Sequence, residues 1–381
     1  MNKNVLILAT LVTNMNITKE AYIKAVEVLD KCSYPEGFHA AYPGYDAVWA
    51  RDSVITSLGA SLARTKFKHE FKNSLLTLAN NQSEKGQIPN AIDKFSKRKH
   101  HVDFMSIDSS MWFIIGCYAY KKRYKDEELF NRLKPHLDKA VNWTYYRDWA
   151  EDELLEQLPT TDWQDAFPHR YGHTINSQAL YYKVLILIGK KDRAQSIKSK
   201  VNDKYGRGLW TGTFYLPWRW KDHGKYTEKG EWFDSLGNIL AILFDLADKH
   251  QAEKILSHIK RKKIDKPYPV KAIYPPIKRG SKDWQDYFLD CEAGTPFHYL
   301  NAGIWPYVGG FYILALIKYK KFEEARKQLR KLAEANMKLK GNFSEWLHGK
   351  TGKPSVGGGQ AWNAGMYLAA YESLKKKKVL I

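Results

Sequence analysis

Tyr45-Asp46-Ala47-Val48-Trp49-Ala50-Arg51-Asp52-Ser53, running straight into the apolar stretch from Val54 to Ala63, is the passage that decides the fold. An aromatic, charged loop delivers the chain into a helix that is apolar on most of its faces. That is the pattern of a helix buried all round, not of one lying on a surface. The same arrangement returns five more times. Polar or capping residues precede apolar-periodic runs near Asp108, Thr174, Asp234, Asn301 and Gly359, and successive starts, counted from Asp52, lie 56 to 67 residues apart. Plainer, more charged helical runs fall between them, near 18–31, 71–80, 127–146, 191–201, 252–261 and 322–339. Two helices per unit, six times over, predict an all-α closed double ring. The inner helices of such a ring point the same way, so their N-terminal loops converge on one mouth, where a site belongs.

Composition narrows the function. The chain has 381 residues, 44% of them hydrophobic, enough for a large core without disulfides. No Pro/Ser/Gly-rich linker interrupts it, and the repeat runs nearly end to end, so one domain over residues 1–381 is expected. The three cysteines are scattered and show no zinc spacing, which points to a reducing, cytoplasmic setting with no bound metal. The run from Met1 to Thr10 holds one lysine and a short apolar stretch, too little for an export signal. No stretch reaches the roughly eighteen apolar residues of a membrane span. A net charge of +20 raises nucleic acid as a partner. The cations, however, lie in separate runs (Lys318 to Lys321, Lys327 to Lys331, Lys375 to Lys378), and Glu323, Glu324 and Glu334 alternate with them at helical spacing. This reads as a solvated shell, with no nucleic-acid or membrane partner. Nothing in the sequence bears on oligomeric state. The chain carries 13 Trp, 24 Tyr and 16 Phe. Trp49, Trp112, Trp163, Trp232, Trp305, Trp346 and Trp362 fall around the starts of the inner helices. Any one of them could be core, but together they suit stacking on sugar rings.

No metal box, cofactor motif, phosphate-binding Gly loop or Ser/His/Asp pattern is present, so no cofactor is expected. Carboxylates are in surplus at the mouth: Asp46, Asp52, Asp108, Asp162, Asp165, Asp234, Glu292 and Glu345. Asp52, Asp108 and Asp234 stand where a helix cap would, accepting orphan amide protons. Asp165 and Glu345 do not; each precedes its helix by several residues, beside Trp163 or Trp346. Two carboxyls from opposite walls of a pocket are what glycoside hydrolysis needs, one protonating the leaving oxygen and the other activating water.

Tyr45 to Asp52, Ile107-Asp108-Ser109-Ser110-Met111-Trp112-Phe113 and Trp163-Gln164-Asp165-Ala166 resemble the amylo-α-1,6-glucosidase domain of glycogen debranching enzymes. The stretch Gly172 to Tyr181 is similar to that domain as well, and alkaline and neutral invertases match through the same glycine, seven residues after Asp165, and through Ser344-Glu345-Trp346-Leu347-His348-Gly349-Lys350. The resemblance implies an (α/α)6 barrel, the six-hairpin toroid, with Asp165 as general acid, Glu345 as general base, and Arg51 with Asp52 holding hydroxyls of the non-reducing sugar. One departure stands out: Asn176 occupies a position where both families place a glutamate.

The expectation is an inverting, exo-acting glycoside hydrolase on α-glucosidic substrates of the glycogen, malto- or isomalto-oligosaccharide type, its two carboxyls about 6.5–9.5 Å apart. Trp49, Arg51, Asp52 and Asp108 are expected to form the subsite for the terminal sugar, with Trp112, Asp162, Trp163, Asp234, Asn301, Trp305 and Trp346 lining it. A sucrose-cleaving invertase shares the pair and differs only in the leaving-group subsite. A glycoside phosphorylase would replace the base by phosphate. A non-catalytic carbohydrate-binding protein would need Asp165 and Glu345 salt-bridged or far apart.

Overall fold

The apolar runs and the charged runs all form helices, and they sort into two shells. The computed structural model describes residues 3–63, 65–93, 101–203 and 207–381, the side chains of 3–16 and 65 excepted. Its helices are α1 (Lys3–Lys31), α2 (Ala50–Ala63), α3 (Lys68–Asn80), α4 (Asp108–Tyr124), α5 (Glu127–Tyr145), α6 (Ile175–Leu187), α7 (Lys191–Val201), α8 (Ser235–Leu243), α9 (Lys249–Arg261), α10 (Pro306–Lys318), α11 (Phe322–Asn336) and α12 (Ala361–Lys375). The even-numbered helices form the inner shell. Every residue from Ser235 to Ile242 of α8 and from Pro306 to Ile317 of α10 is buried. The outer helices hide one stripe only, such as Ala252, Ile255, Leu256 and Ile259 of α9, and turn their lysines outward.

Each inner helix packs on the next, α2 on α4 on α6 on α8 on α10 on α12, and α12 packs back on α2. The ring is therefore closed, an (α/α)6 barrel. Glycine makes the closing contact possible. A Cβ on Gly59 of α2 would sit 1.6 Å from the Gly365 carbonyl oxygen of α12, and one on Gly365 would sit 2.5 Å from that of Thr56. Gly59→Ala is accordingly expected to push these helices apart at a cost of about 1–3 kcal/mol or more. A lowered urea midpoint at unchanged m-value would register it, and an unmoved midpoint would show that the seam has slack.

Capping sets several helix starts. Thr174 Oγ1 accepts from the Ser177 amide and the Asp234 carboxylate from the Gly237 amide, both at 3.4 Å. Elsewhere the structure corrects the expected starts. The helix α2 begins at Ala50, which puts Asp52 inside its first turn, and Asp108 is the first residue of α4 with no side-chain cap in front of it. Asn301 caps nothing: α10 starts five residues later at Pro306, whose fixed φ and missing N–H suit the first helical position. The helix α1 extends well before Thr18, whose carbonyl accepts from Tyr367 Oη at 2.7 Å. Met1 and Asn2, the start of the run judged too short for an export signal, lie outside the described residues. Among those residues no helix is long and apolar enough to cross a membrane.

Short antiparallel ladders tie the loops at the inner helices' N-termini into a rim. Val48–Trp49, Ala91–Ile92 and Val102–Asp103 form one sheet, and Glu156–Gln157, Gly172–Thr174, Trp218–Asp222 and Thr227–Lys229 a second. Single bridges link Lys271 to Ile304, Ile304 to Leu347, and Ala41 to Gln360. The mouth is thus a laced collar.

Candidate active site

A hollow opens at the centre of this collar, with about 440 Å³ of empty space, open mouth included. The first hairpin supplies Ala40, Tyr45 and Trp49 from its loop and Arg51 and Asp52 from the first turn of α2. The loop before α6 gives Trp163 and Asp165, the stretch before α10 gives Tyr299 and Trp305, and the sixth hairpin gives Glu345, Gln360 and Trp362. Of the residues singled out in the sequence, Trp49, Arg51, Asp52, Trp163, Asp165, Trp305 and Glu345 are brought together here.

The electrostatics are those of too many acids in little water. Burial lifts Asp165 to a pKa of about 6, against the pull of Arg51, whose Nη2 lies 3.8 Å from Asp165 Oδ2. Its side chain nevertheless keeps 38% of its surface open. Burial likewise lifts Glu345 to about 7, helped by the charges of Asp52 and Asp165. Tyr45 Oη donates to Glu345 Oε1 at 3.4 Å and opposes that rise. Burial holds Asp52 at about 6 as well, even with Arg51 beside it. Tyr299 stands near both Asp165 and Glu345, and its phenol is pushed up by burial and by those two carboxylates. The loop that carries Glu345 is pinned from α12: Asn363 Nδ2 donates to the Ser344 carbonyl at 2.8 Å, while its Oδ1 accepts from the Tyr307 amide at 2.9 Å.

Asp108, Asp162 and Asp234, expected in the subsite, are fully buried behind its wall. There they hold the collar. Asp108 Oδ1 accepts from Arg51 Nη1 at 3.2 Å and its Oδ2 from the Trp163 amide at 3.1 Å, so it aims both Arg51 and the loop that carries Asp165. Arg170, equally buried, reaches Asp234 with Nη1 and Asp162 with Nη2, each at 2.5 Å. Asn176 Nδ2 donates to Asp162 Oδ2 at 3.3 Å. Asn176 therefore faces this buried network instead of the hollow, and a glutamate there would add a third carboxylate around one guanidinium.

Asn301, Trp346 and Trp112 do not line the hollow either. Asn301 is spent on the backbone of Ile277 and Ala293, closing a long loop. Trp346 packs its ring on His298 and Tyr299, outside the wall. Trp112, one turn into α4, is too deep: it packs on Phe311, 6.2 Å between ring centroids, and faces the far end of the barrel. The sequence reading missed Tyr45, Tyr299, Gln360 and Trp362. Tyr45 sits within the decisive stretch and Trp362 among the aromatics noted at helix starts, so those two had a signal; Tyr299 and Gln360 had none. The rings form a box: Trp163 and Trp305 lie edge to face at 5.7 Å, Trp305 and Trp362 at 5.8 Å, and Trp362 stacks on Tyr307 at 4.0 Å.

Among the described residues one side-chain group could hold a metal, Asp152, Glu156 and His173, with ligand atoms within 4.8 Å of one another. Glu156 already accepts from the Trp149 and Ala150 amides at 2.6 and 3.1 Å, and His173 Nε2 reaches Glu156 at 3.3 Å. The group is a loop clasp.

Comparison with known proteins agrees with this architecture. Residues 22–207 match the amylo-alpha-1,6-glucosidase family, and residues 229–377 match the alkaline and neutral invertase family. Alkaline/neutral invertase C, mitochondrial, of Arabidopsis thaliana is 29% identical over 71% of this chain and 48% of its own length. Neutral/alkaline invertase 1, mitochondrial, of Oryza sativa is 31% identical over 65% of this chain and 47% of its own length. The chain thus spans about half the length of these curated relatives. In fold it is similar to a mannosylglycerate hydrolase from Thermus thermophilus solved with Tris and D-glycerate, at a TM-score of 0.71 and 15% identity over 91% of this chain and 99% of that one. A rhamnosidase from Klebsiella oxytoca with rhamnose bound gives 0.64 at 16% identity, over 93% of this chain and 63% of that one. Both family matches and the barrel fit the six-hairpin glycosidases, which are built on an (α/α)6 barrel.

Proposed function

We propose that this protein is an inverting, exo-acting hydrolase of uncharged α-glucosides, with Asp165 as general acid and Glu345 as general base. The observation that carries the reading is that these two carboxyls, from the third and sixth hairpins, line one aromatic hollow and are both lifted toward neutrality by burial. In the reaction Asp165 gives its proton to the glycosidic oxygen as the C1–O bond breaks. Glu345 takes a proton from the water whose oxygen bonds to C1 from the opposite face. Solvent then returns a proton to Asp165 and removes one from Glu345. Arg51 steadies Asp165, and with Asp52 would hold hydroxyls of the terminal sugar. Tyr307 and Trp362 back the hollow, which suits a chain end better than a chain middle.

Among the described residues lining the hollow, Arg51 is the only cation, and three aspartates already face it. Among those residues an acidic leaving group such as glycerate would meet no free positive charge, which favours a neutral disaccharide or oligosaccharide. Within that class, maltose- or isomaltose-type substrates agree with the match over residues 22–207. Sucrose is the second reading, favoured by the match over residues 229–377 and by the invertases among the relatives. Sucrose, maltose and isomaltose offered without phosphate, with the product anomer followed by NMR, test both readings. Fresh β-glucose is expected, and α-glucose would overturn inversion. Turnover only with added phosphate would make the protein a phosphorylase. Three free cysteines, two of them buried, agree with a reducing compartment, and we place the protein in the cytoplasm.

The acid has to be protonated and the base ionised. With Asp165 near 6 and Glu345 near 7, the active protonation state is a minor one, flat between the two values and falling on either side. The rate is expected to peak between pH 6 and 7. Tyr45→Phe removes the donor that favours ionised Glu345, so its pKa rises further. The alkaline limb of kcat should then move up and the maximum drop, with the acid limb unmoved. A profile unchanged in both limbs would mean that the Tyr45 hydroxyl does not act on the base.

A further inference from the structure

The barrel has a second hollow at its opposite end, under the C-termini of α2, α4, α6 and α8. Leu58, Leu62, Trp112, Phe244 and Phe311 give it apolar walls, and Val379, Leu380 and Ile381, beyond α12, close part of one side. It holds about 1140 Å³ of empty space, mouth included. An aromatic column divides it from the upper hollow: Trp112 on Phe311 at 6.2 Å, Phe311 on Tyr307 at 6.3 Å, Tyr307 on Trp362 at 4.0 Å.

This apolar chamber is not electrically neutral. Lys122, Arg123 and Lys183 line it, and among the described residues no carboxylate side chain does. Cations at helix C-termini offset the helix dipole, and some here are spent that way. Arg123 Nε donates to the Ser61 carbonyl at 2.9 Å, and Lys318, close by, donates to the carbonyls of Ile242 and Leu243 at 3.0 and 2.8 Å. Lys183 is not. Its ammonium lies over the Phe244 ring, 5.5 Å from the centroid, and burial together with the charges of Lys122 and Lys318 holds its pKa below the ordinary lysine value. Asp245, whose charge opposes that shift, is already paired with Lys318 at 2.8 Å, so among the described residues this half-buried ammonium has no anion of its own.

We propose that the lower chamber binds a single-chain amphiphilic anion, a medium-chain fatty carboxylate, with its hydrocarbon along Trp112 and Phe311 and its head group between Lys122 and Lys183. Charge complementarity selects the anion, and the apolar walls select the chain. Calorimetric titration of the whole protein with decanoate below its micelle concentration tests this. Saturable one-to-one binding is expected, with decyltrimethylammonium weaker by about ten-fold or more and acetate showing no saturable binding. A Lys122→Glu, Lys183→Glu double variant should lose about ten-fold in decanoate affinity. Ala119→Phe, which fills the chamber, should abolish binding of both long-chain probes, with folding checked by helical circular dichroism. If the double variant does not fold, Ala119→Phe decides alone. Decanoate that fails to saturate, cationic and anionic chains that bind alike, or decanoate affinity undiminished in Ala119→Phe would each overturn the proposal.

Discussion

Asp165→Asn is expected to lower kcat on an unactivated glucoside by about 10²–10⁴-fold while leaving sugar binding within a few-fold. The amide has nearly the shape of the acid and keeps its place beside Arg51, but it cannot deliver a proton to the leaving oxygen. Glu345→Gln should fall as far, because the attacking water loses its base. The two are told apart by glucosyl fluoride, whose leaving group needs no proton. Asp165→Asn should recover most of its rate on the fluoride, and Glu345→Gln should not. If Asp165→Asn hydrolyses maltose or sucrose at a near-normal rate, or gains nothing on the fluoride, the acid is a different residue, and Asp52, which lines the same hollow, becomes the next to test.

Arg170→Met is the substitution expected to harm stability most, by about 3–5 kcal/mol. Methionine fills part of the volume but strands Asp162 and Asp234, both without solvent exposure and each held by a 2.5 Å ion pair. Two buried carboxylates would then have to share what hydrogen bonds remain, or take up protons. The loss should appear as a lower denaturation midpoint at neutral pH. A triple replacement in which Asp162 and Asp234 also become asparagine should recover much of it, because a buried network with no net charge costs less than one with an unpaired charge. A variant as stable as the parent would mean that water reaches the network.

The helical ring was legible because periodicity is written over ten or more residues at a time. All twelve runs marked in the sequence form helices, outer and inner alike. The ladders of the collar, mostly two to five residues long, are too short to show any period, and only the partners across the fold create them. Candidate site residues divide on similar lines. Asp165 and Glu345 stood apart because no cap explained them. Asp108, Asp162 and Asp234 share their chemistry and loops, yet point one wall deeper, toward Arg51 and Arg170. Side-chain direction at a loop-to-helix junction depends on where the helix starts, and the start of α10 shows how that fails: Asn301 looked like a cap, whereas Trp305-Pro306 carried the true signal.

The seam between α2 and α12 has an effect on how the molecule comes apart. An open array of helical hairpins has end units with one neighbour each, so it can fray inward from either tip. Here every hairpin leans on two others, and Gly59 against Gly365 leaves no tip at which melting could begin. Loss of any one hairpin strips two faces at once. Heat should therefore extinguish helicity and catalysis together, in one cooperative step.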